Sequence, residues 1–304
     1  MKYNTLIIDT SNLFWRVSVS HIKESLSKNE SIDYSHHILY VIEKLKNLID
    51  EFAYQDSKVF LLFDNPTSAY EIRRIISKGK YKHTRENKNI SKKIYHILDI
   101  FEEIAKIYSD YFYVVKSDNH EADDLTRIIA NEHKKDKILC ISADLDWARN
   151  ITSTCHWFNW VTVYDPKVFN EVYGFNPVGQ SIQIYKAIHG DAADSIDNAL
   201  PYLPKKYLLD IVNNCNTIKE TLNYVIENLP DVWIVKFKDA YSKIVENYNL
   251  VQFYETSISY DSIVKKGETN IQKLKRFYIY LGFPLESRMI EMDKNQLFED
   301  RKYI

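Results

Sequence analysis

Leu6-Ile7-Ile8-Asp9-Thr10-Ser11-Asn12 reads as a short buried strand that ends on an acid and hands the chain to a helix. Three branched apolar residues in a row suit a strand covered on both faces, and Thr10, Ser11 and Asn12 offer helix-capping hydroxyl and amide groups. The same grammar recurs. Val59-Phe60-Leu61-Leu62-Phe63 runs from Lys58 into Asp64, where Asn65-Pro66 breaks the chain, and Ile138 to Ile141 runs into Ser142-Ala143-Asp144-Leu145-Asp146. Tyr111 to Val115 and Trp157 to Tyr164 read as two further strands. Between them, Ile38, Val41, Ile42, Leu45, Leu48 and Ile49 repeat at helical spacing over 35–52, and helices are expected from Ile90 to about Tyr108 and over Asn119 to His133. Strands alternating with helices predict an α/β fold with a mostly parallel central sheet covered by helices. After Asp165-Pro166 the pattern is helical, interrupted at Gly190-Asp191, and the last third reads as all-helical.

The 304 residues are enough for one large domain or two modest ones with a real core. Composition is that of a globular chain, with 45% hydrophobic and 27% charged residues, and a net charge of −2 names no partner. Three scattered cysteines, Cys140, Cys155 and Cys215, exclude a disulfide scaffold and a four-cysteine zinc site, and suit a reducing compartment. No run of 18–20 apolar residues or signal-peptide pattern is present, so a cytoplasmic chain without a membrane segment is expected.

Asp9, Asp64 and Asp144 each stand at the C-terminal end of an expected strand, the edge at which open α/β sheets bind ligands. Glu121, Asp123 and Asp124 crowd the start of a helix leaving the same edge, Asp146 follows Asp144, and Asp191 and Asp194 form an i, i+3 pair. One aspartate after a strand is more often a cap or a turn residue; the joint pattern is what points to chemistry. Like charges about 4 Å apart repel by roughly 4 kcal/mol at an effective dielectric near 20, and divalent cations relieve this. An all-oxygen set suits Mg²⁺, with Mn²⁺ as substitute, and two such ions would serve phosphodiester hydrolysis.

The stretch from Arg73 to Lys93 carries nine basic residues against one acid, Glu86. A basic run is more often a solvated face. This one starts and ends beside expected acids, so it is placed to arch over them and clamp a nucleic-acid backbone through Arg73, Arg74, Lys80, Lys82 and Arg85. Lys82 and Arg85 would offset charge on the scissile phosphate, and Tyr81 would stack on a base or simply pack the arch.

Six blocks, in order, resemble the flap endonuclease/5′→3′ exonuclease family with its PIN-like fold. They are Ile8-Asp9-Thr10-Ser11-Asn12, Phe63-Asp64, Tyr81-Lys82-x-x-Arg85, Glu121-Ala122-Asp123-Asp124, Ser142-Ala143-Asp144-Leu145-Asp146 and Lys186-Ala187-Ile188-His189-Gly190-Asp191-Ala192-Ala193-Asp194. The resemblance implies one metal held mainly through Asp9, Asp64, Glu121, Asp123 and Asp124, and a second through Asp144, Asp146, Asp191 and Asp194, partly through water. Lys186 matches a family lysine near the site; its bland alternative is a surface helix cation. The family's glycine-rich hairpin is replaced here by Ser195-Ile196-Asp197-Asn198-Ala199-Leu200-Pro201-Tyr202-Leu203-Pro204-Lys205-Lys206. With no glycine, and with two prolines that lack an N–H, a potassium-mediated grip does not fit. Lys205 and Lys206 would bind phosphates directly or keep the loop soluble. The phage-type ribonuclease H members look similar in this respect.

The resemblance thus implies a PIN-like nuclease domain over 1–180, with a basic arch at about 66–95, and a helical DNA-binding part over 181–304. It implies Mg²⁺-dependent 5′-nuclease activity on flapped or nicked DNA and on RNA–DNA hybrid in primer removal, replication or repair. A monomer is expected, in bacterial or phage-infected cytoplasm, with a single-strand-binding protein as partner by analogy. Two rivals stay open: a PIN-type endoribonuclease, and a catalytically silent nucleic-acid-binding factor on the same fold.

Overall fold

The computed structural model of the chain describes residues 1–28, 34–64, 73, 75–78, 88–107, 112–118, 120–253, 258–265, 270 and 272. Among the described residues, seven strands form one sheet: β1 (Tyr3–Asp9), β2 (Ala53–Leu62), β3 (Phe112–Val115), β4 (Ile138–Ile141), β5 (Cys155–Phe158), β6 (Val163–Tyr164) and β7 (Val264–Lys265), in the order β6-β5-β4-β1-β2-β3-β7. The five central strands are parallel, and β6 and β7 pair antiparallel at the two edges.

Period-2 alternation sorts each strand's side chains onto two faces. Leu6, Ile8, Val59, Leu61, Phe112, Val114, Leu139 and Ile141 join one apolar cluster, while Ile7, Phe60, Leu62, Val115, Ile138 and Cys140 join the other. The first face is covered by α1 (Thr10–Ser27), α2 (Tyr34–Phe52) and α3 (Lys88–Ile107) through side chains such as Phe14, Ile38 and Phe101. The second is covered by α4 (Ala122–Glu132) and α5 (Pro166–Tyr173), and its apolar cluster continues through α6 (Ser181–His189), α7 (Lys205–Asn214), α8 (Ile218–Asn228) and α9 (Asp231–Val251), with a short α10 (Tyr260–Ile263) beside it. Ile188, Val225, Phe237 and Ile244 belong to the same cluster as Ile7 and Phe60, so the helical half packs into the core of the sheet.

Three expectations change. The single strand expected over Trp157 to Tyr164 is a hairpin, because Asn159 Oδ1 accepts the N–H groups of Val161 (3.1 Å) and Thr162 (2.9 Å) and turns the chain. The cap of α1 is Asp9 itself, which accepts the Asn12 N–H at 2.8 Å. The last third is not wholly helical: β7 adds two residues to the edge at β3, which keeps that edge short.

β1 lies between β2 and β4 in a sheet whose strand order reverses there. Their C-terminal ends therefore open a crevice at the topological switch point, the place where such sheets receive ligands.

Candidate metal centre

The acids meet at that crevice. Asp9 ends β1, and its Oδ2 accepts the Ser142 hydroxyl, just past β4, at 2.7 Å. Asp64 follows β2; its N–H donates to Ser11 Oγ at 3.2 Å and its Oδ1 accepts the N–H of Ala122 at 2.9 Å, so it caps α4. Asp123, in the first turn of α4, accepts Trp147 Nε1–H at 2.6 Å, and its carbonyl accepts the Arg149 guanidinium at 2.7 Å. Asp144 accepts the N–H of Asp146 at 3.0 Å and opens a 3₁₀ turn over Leu145–Asn150. The capping role and the clustering are thus compatible, since an oxygen that accepts a local N–H or hydroxyl keeps a second lone pair for another partner.

Asp123, Asp144 and Asp146 bring oxygens within 4.8 Å of one another. Burial, then the charge of Asp64, pushes the Asp9 carboxyl up to about 8, against the opposing hydrogen bonds from Asn12 and Ser142. Burial, then Asp144, Asp146, Asp64 and Asp9, raise Asp123 well above the usual carboxylate range. Burial likewise raises Asp146 to about 6, although Lys186 opposes it. Buried like charges of this kind are relieved by a hard divalent cation, and the donor set is entirely oxygen, so the residues fit Mg²⁺ or Mn²⁺.

Two basic side chains are built into the flanks. Lys186, on the last turn of α6, is 4% exposed. Its Nζ stands 2.6 Å from Asp146, 2.8 Å from Asp191 and 3.5 Å from Asp144. Burial alone would lower its pKa; Asp146, Asp144, Asp191 and Asp194 overcome this and raise it well above the ordinary lysine value. The surface-cation reading of Lys186 is therefore set aside. Arg73, expected among the nucleic-acid contacts, is 3% exposed: its guanidinium contacts the Glu121 carboxylate, lies 3.6 Å from Asp124 and donates to the Gln252 carbonyl at 3.3 Å.

The segment carrying Asp191 and Asp194 is held by α6 and α9. Gly190 caps α6 at φ +84°, where a Cβ would lie 2.6 Å from both Asn198 N and Ile196 O. Asp191 pairs with Ile196 through two 2.8 Å backbone hydrogen bonds, and its Oδ1 accepts the Ala193 N–H at 3.0 Å. Fully buried Asn247, on α9, donates to Ala187 O at 3.0 Å and Asp197 O at 2.8 Å. A cleft of about 490 Å³ opens beside the acids, lined by Asn12, Ala143, Asp144, Lys186, Gly190 and Asp191.

Lys205 and Lys206 are exposed at the start of α7. Arg74, Lys80, Tyr81, Lys82 and Arg85 lie outside the described residues. Three participants escaped the sequence reading: Trp147, Arg149 and Asn247. Asn247 alone left a trace, as a polar residue on a stripe with Phe237, Ile244 and Val251.

The family model "5′-3′ exonuclease, N-terminal resolvase-like domain" matches residues 4–174. A search of curated protein sequences returns no match. Among solved structures, a bacteriophage T5 flap endonuclease in complex with DNA and metal ions is similar at 19% identity and a TM-score of 0.60, over 82% of this chain and 88% of that one. T5 5′-exonuclease with bound zinc is similar at 20% identity and a TM-score of 0.59, over 82% and 89%. The catalytic core of Rad2 with DNA substrate is similar at 12% identity and a TM-score of 0.50, over 92% and 88%.

Proposed function

The chain belongs to the 5′-3′ exonuclease family, metal-dependent nucleases that hydrolyse phosphodiester bonds, and from that premise we propose a Mg²⁺-dependent, structure-specific 5′-nuclease acting on flapped, nicked or RNA-primed duplex. The observation that carries this reading is the convergence of Asp9, Asp64, Asp123, Asp144 and Asp146 at the switch-point crevice, with carboxylates that burial and mutual repulsion leave short of positive charge.

Asp9, Asp64, Asp123, Asp144 and Asp146 would hold divalent ions, with Glu121, Asp124, Asp191 and Asp194 completing the set directly or through water. Bound there, the ions would activate water near neutral pH and stabilise the attacking and leaving oxygens. Ser142 and Asn12 N–H fix Asp9, Trp147 fixes Asp123, and the Ala122 N–H fixes Asp64, so three carboxylates keep their placement without metal. Water attacks phosphorus in line, the P–O3′ bond breaks, the departing oxygen takes a proton to become a 3′-hydroxyl, and the phosphate stays on the 5′ end of the remaining strand. Lys82 and Arg85 are assigned to the scissile phosphate, with Arg74, Lys80 and Tyr81 along the same strand; Lys205 and Lys206 are assigned to duplex phosphates. Arg73 is assigned to holding Glu121 and Asp124. Substrate choice then follows shape and backbone contacts rather than base reading.

Residues 1–180, together with Asp191 and Asp194, are assigned the chemistry and the rest of 181–304 the duplex grip, in primer removal or repair, acting as a monomer in the cytoplasm beside a single-strand-binding protein. No helix among the described residues is long and apolar enough to cross a membrane. The test offers a 5′-flap, an RNA–DNA hybrid and a plain single strand, each with Mg²⁺ or chelator. Short 5′-derived products that need Mg²⁺ and duplex support the reading. Chelator-resistant cutting of all three alike, or internal RNA fragments only, overturns it.

A further inference from the structure

The acids of the site divide by what neutralises them. Lys186 Nζ touches Asp146 and Asp191 and stands 3.5 Å from Asp144. Arg73 serves Glu121 and Asp124. Among the described residues, no basic side chain pairs with the carboxylates of Asp9, Asp64 or Asp123. Lys186 is not a wandering surface cation. It is buried on the last turn of α6, and the next residue, Ala187, is pinned through its carbonyl by Asn247. An ammonium among three carboxylates takes up the same lone pairs that a hard divalent ion would use.

We propose that Lys186 is a resident cation of the Asp144–Asp146–Asp191 group, so that without nucleic acid the chain takes up one divalent ion, with Asp123 among its holders, and a second enters only by displacing the lysine. This rests on the metal-nuclease reading above and concerns how that site loads. A displaced ammonium at such a buried place needs another anion. A strand phosphate entering the adjoining cleft supplies one, which couples the second ion to the arrival of substrate.

The test is Mn²⁺ titration of the full-length chain without nucleic acid, following free Mn²⁺ and the spin coupling of bound ions by electron paramagnetic resonance. The wild-type chain should bind one tight ion with an uncoupled spectrum. Lys186→Met and Lys186→Gln should bind two, spin-coupled, with the second at least tenfold tighter than in the wild type, whereas Lys186→Arg should stay at one. Two equivalent ions in the wild type overturn the proposal even if the variants fail to fold, and so do well-folded Met and Gln variants that stay at one. A wild type that takes up no Mn²⁺ overturns the metal-nuclease reading itself, a result distinct from either.

Discussion

Ser142 Oγ donates to Asp9 Oδ2 at 2.7 Å, joining the C-terminal ends of two parallel strands that are 133 residues apart in sequence. The contact bridges β1 and β4 where the strand order reverses, and places a buried carboxylate among others before any ion arrives.

Stability of the metal-free chain should therefore depend on pH. Asp9 holds its proton to about pH 8 in the folded state, against an ordinary value of 3.8. At this group the folded chain binds more protons than the unfolded one between those limits, so the contribution of Asp9 to stability is full below the ordinary value and is lost as pH rises through about 8. Asp146, raised to about 6, adds to the lower part of the window. Melting curves in chelator should shift to lower temperature from pH 5.5 to pH 8.5, and saturating Mg²⁺ should flatten the trend. A melting point that climbs over this range in chelator would refute the clustering of charge.

Asp123→Asn should stabilise the metal-free chain and cripple cleavage. The amide oxygen still accepts Trp147 Nε1–H, while the repulsion from Asp144, Asp146, Asp64 and Asp9 disappears. A gain of about 1–2 kcal/mol, read as roughly 2–4 °C per kcal/mol, is expected at this chain length. Mg²⁺-dependent turnover should fall by at least about 100-fold. A destabilised metal-free variant would show that the carboxylate is held by something other than its neighbours' tolerance.

Asn247→Leu should loosen the Asp191 segment from a distance. It strips the donors from Ala187 O and Asp197 O, a loss of about 2–4 kcal/mol for two buried acceptors. Mn²⁺ affinity at the Asp144–Asp146–Asp191 group should shift with it, whereas an unchanged melting point would place no weight on these bonds.

Gly190→Ala should be costlier than its size suggests. The new Cβ would stand 2.6 Å from Asn198 N and Ile196 O at a φ of +84°. A destabilisation of at least about 2 kcal/mol is expected. Turnover should fall with it, because the displaced backbone carries Asp191. A variant that melts and cuts like the wild type would contradict the packing of this turn.

The sheet was legible because branched apolar runs ended on acids at the same edge, and burial on both faces leaves no other reading for Leu6–Ile8 or Ile138–Ile141. The β5–β6 hairpin was not, because its turn uses Asn159 and a left-handed Trp160 (φ 75°) in place of glycine or proline. β7 is too short to show a period. At the site, the acids could be read from their places after strands. The destinations of Arg73 and Lys186 could not, since charge in a sequence says nothing of burial, and both sit inside.

Asn247 reaches back some sixty residues to clasp the carbonyl beside Lys186. A trimmed fragment ending where the family match ends, at residue 174, would forfeit that lysine, Asp191, Asp194 and the clasp together. The helical tail thus walls one side of the acid cluster, and a fragment cut at the amino-terminal side alone should lack that wall.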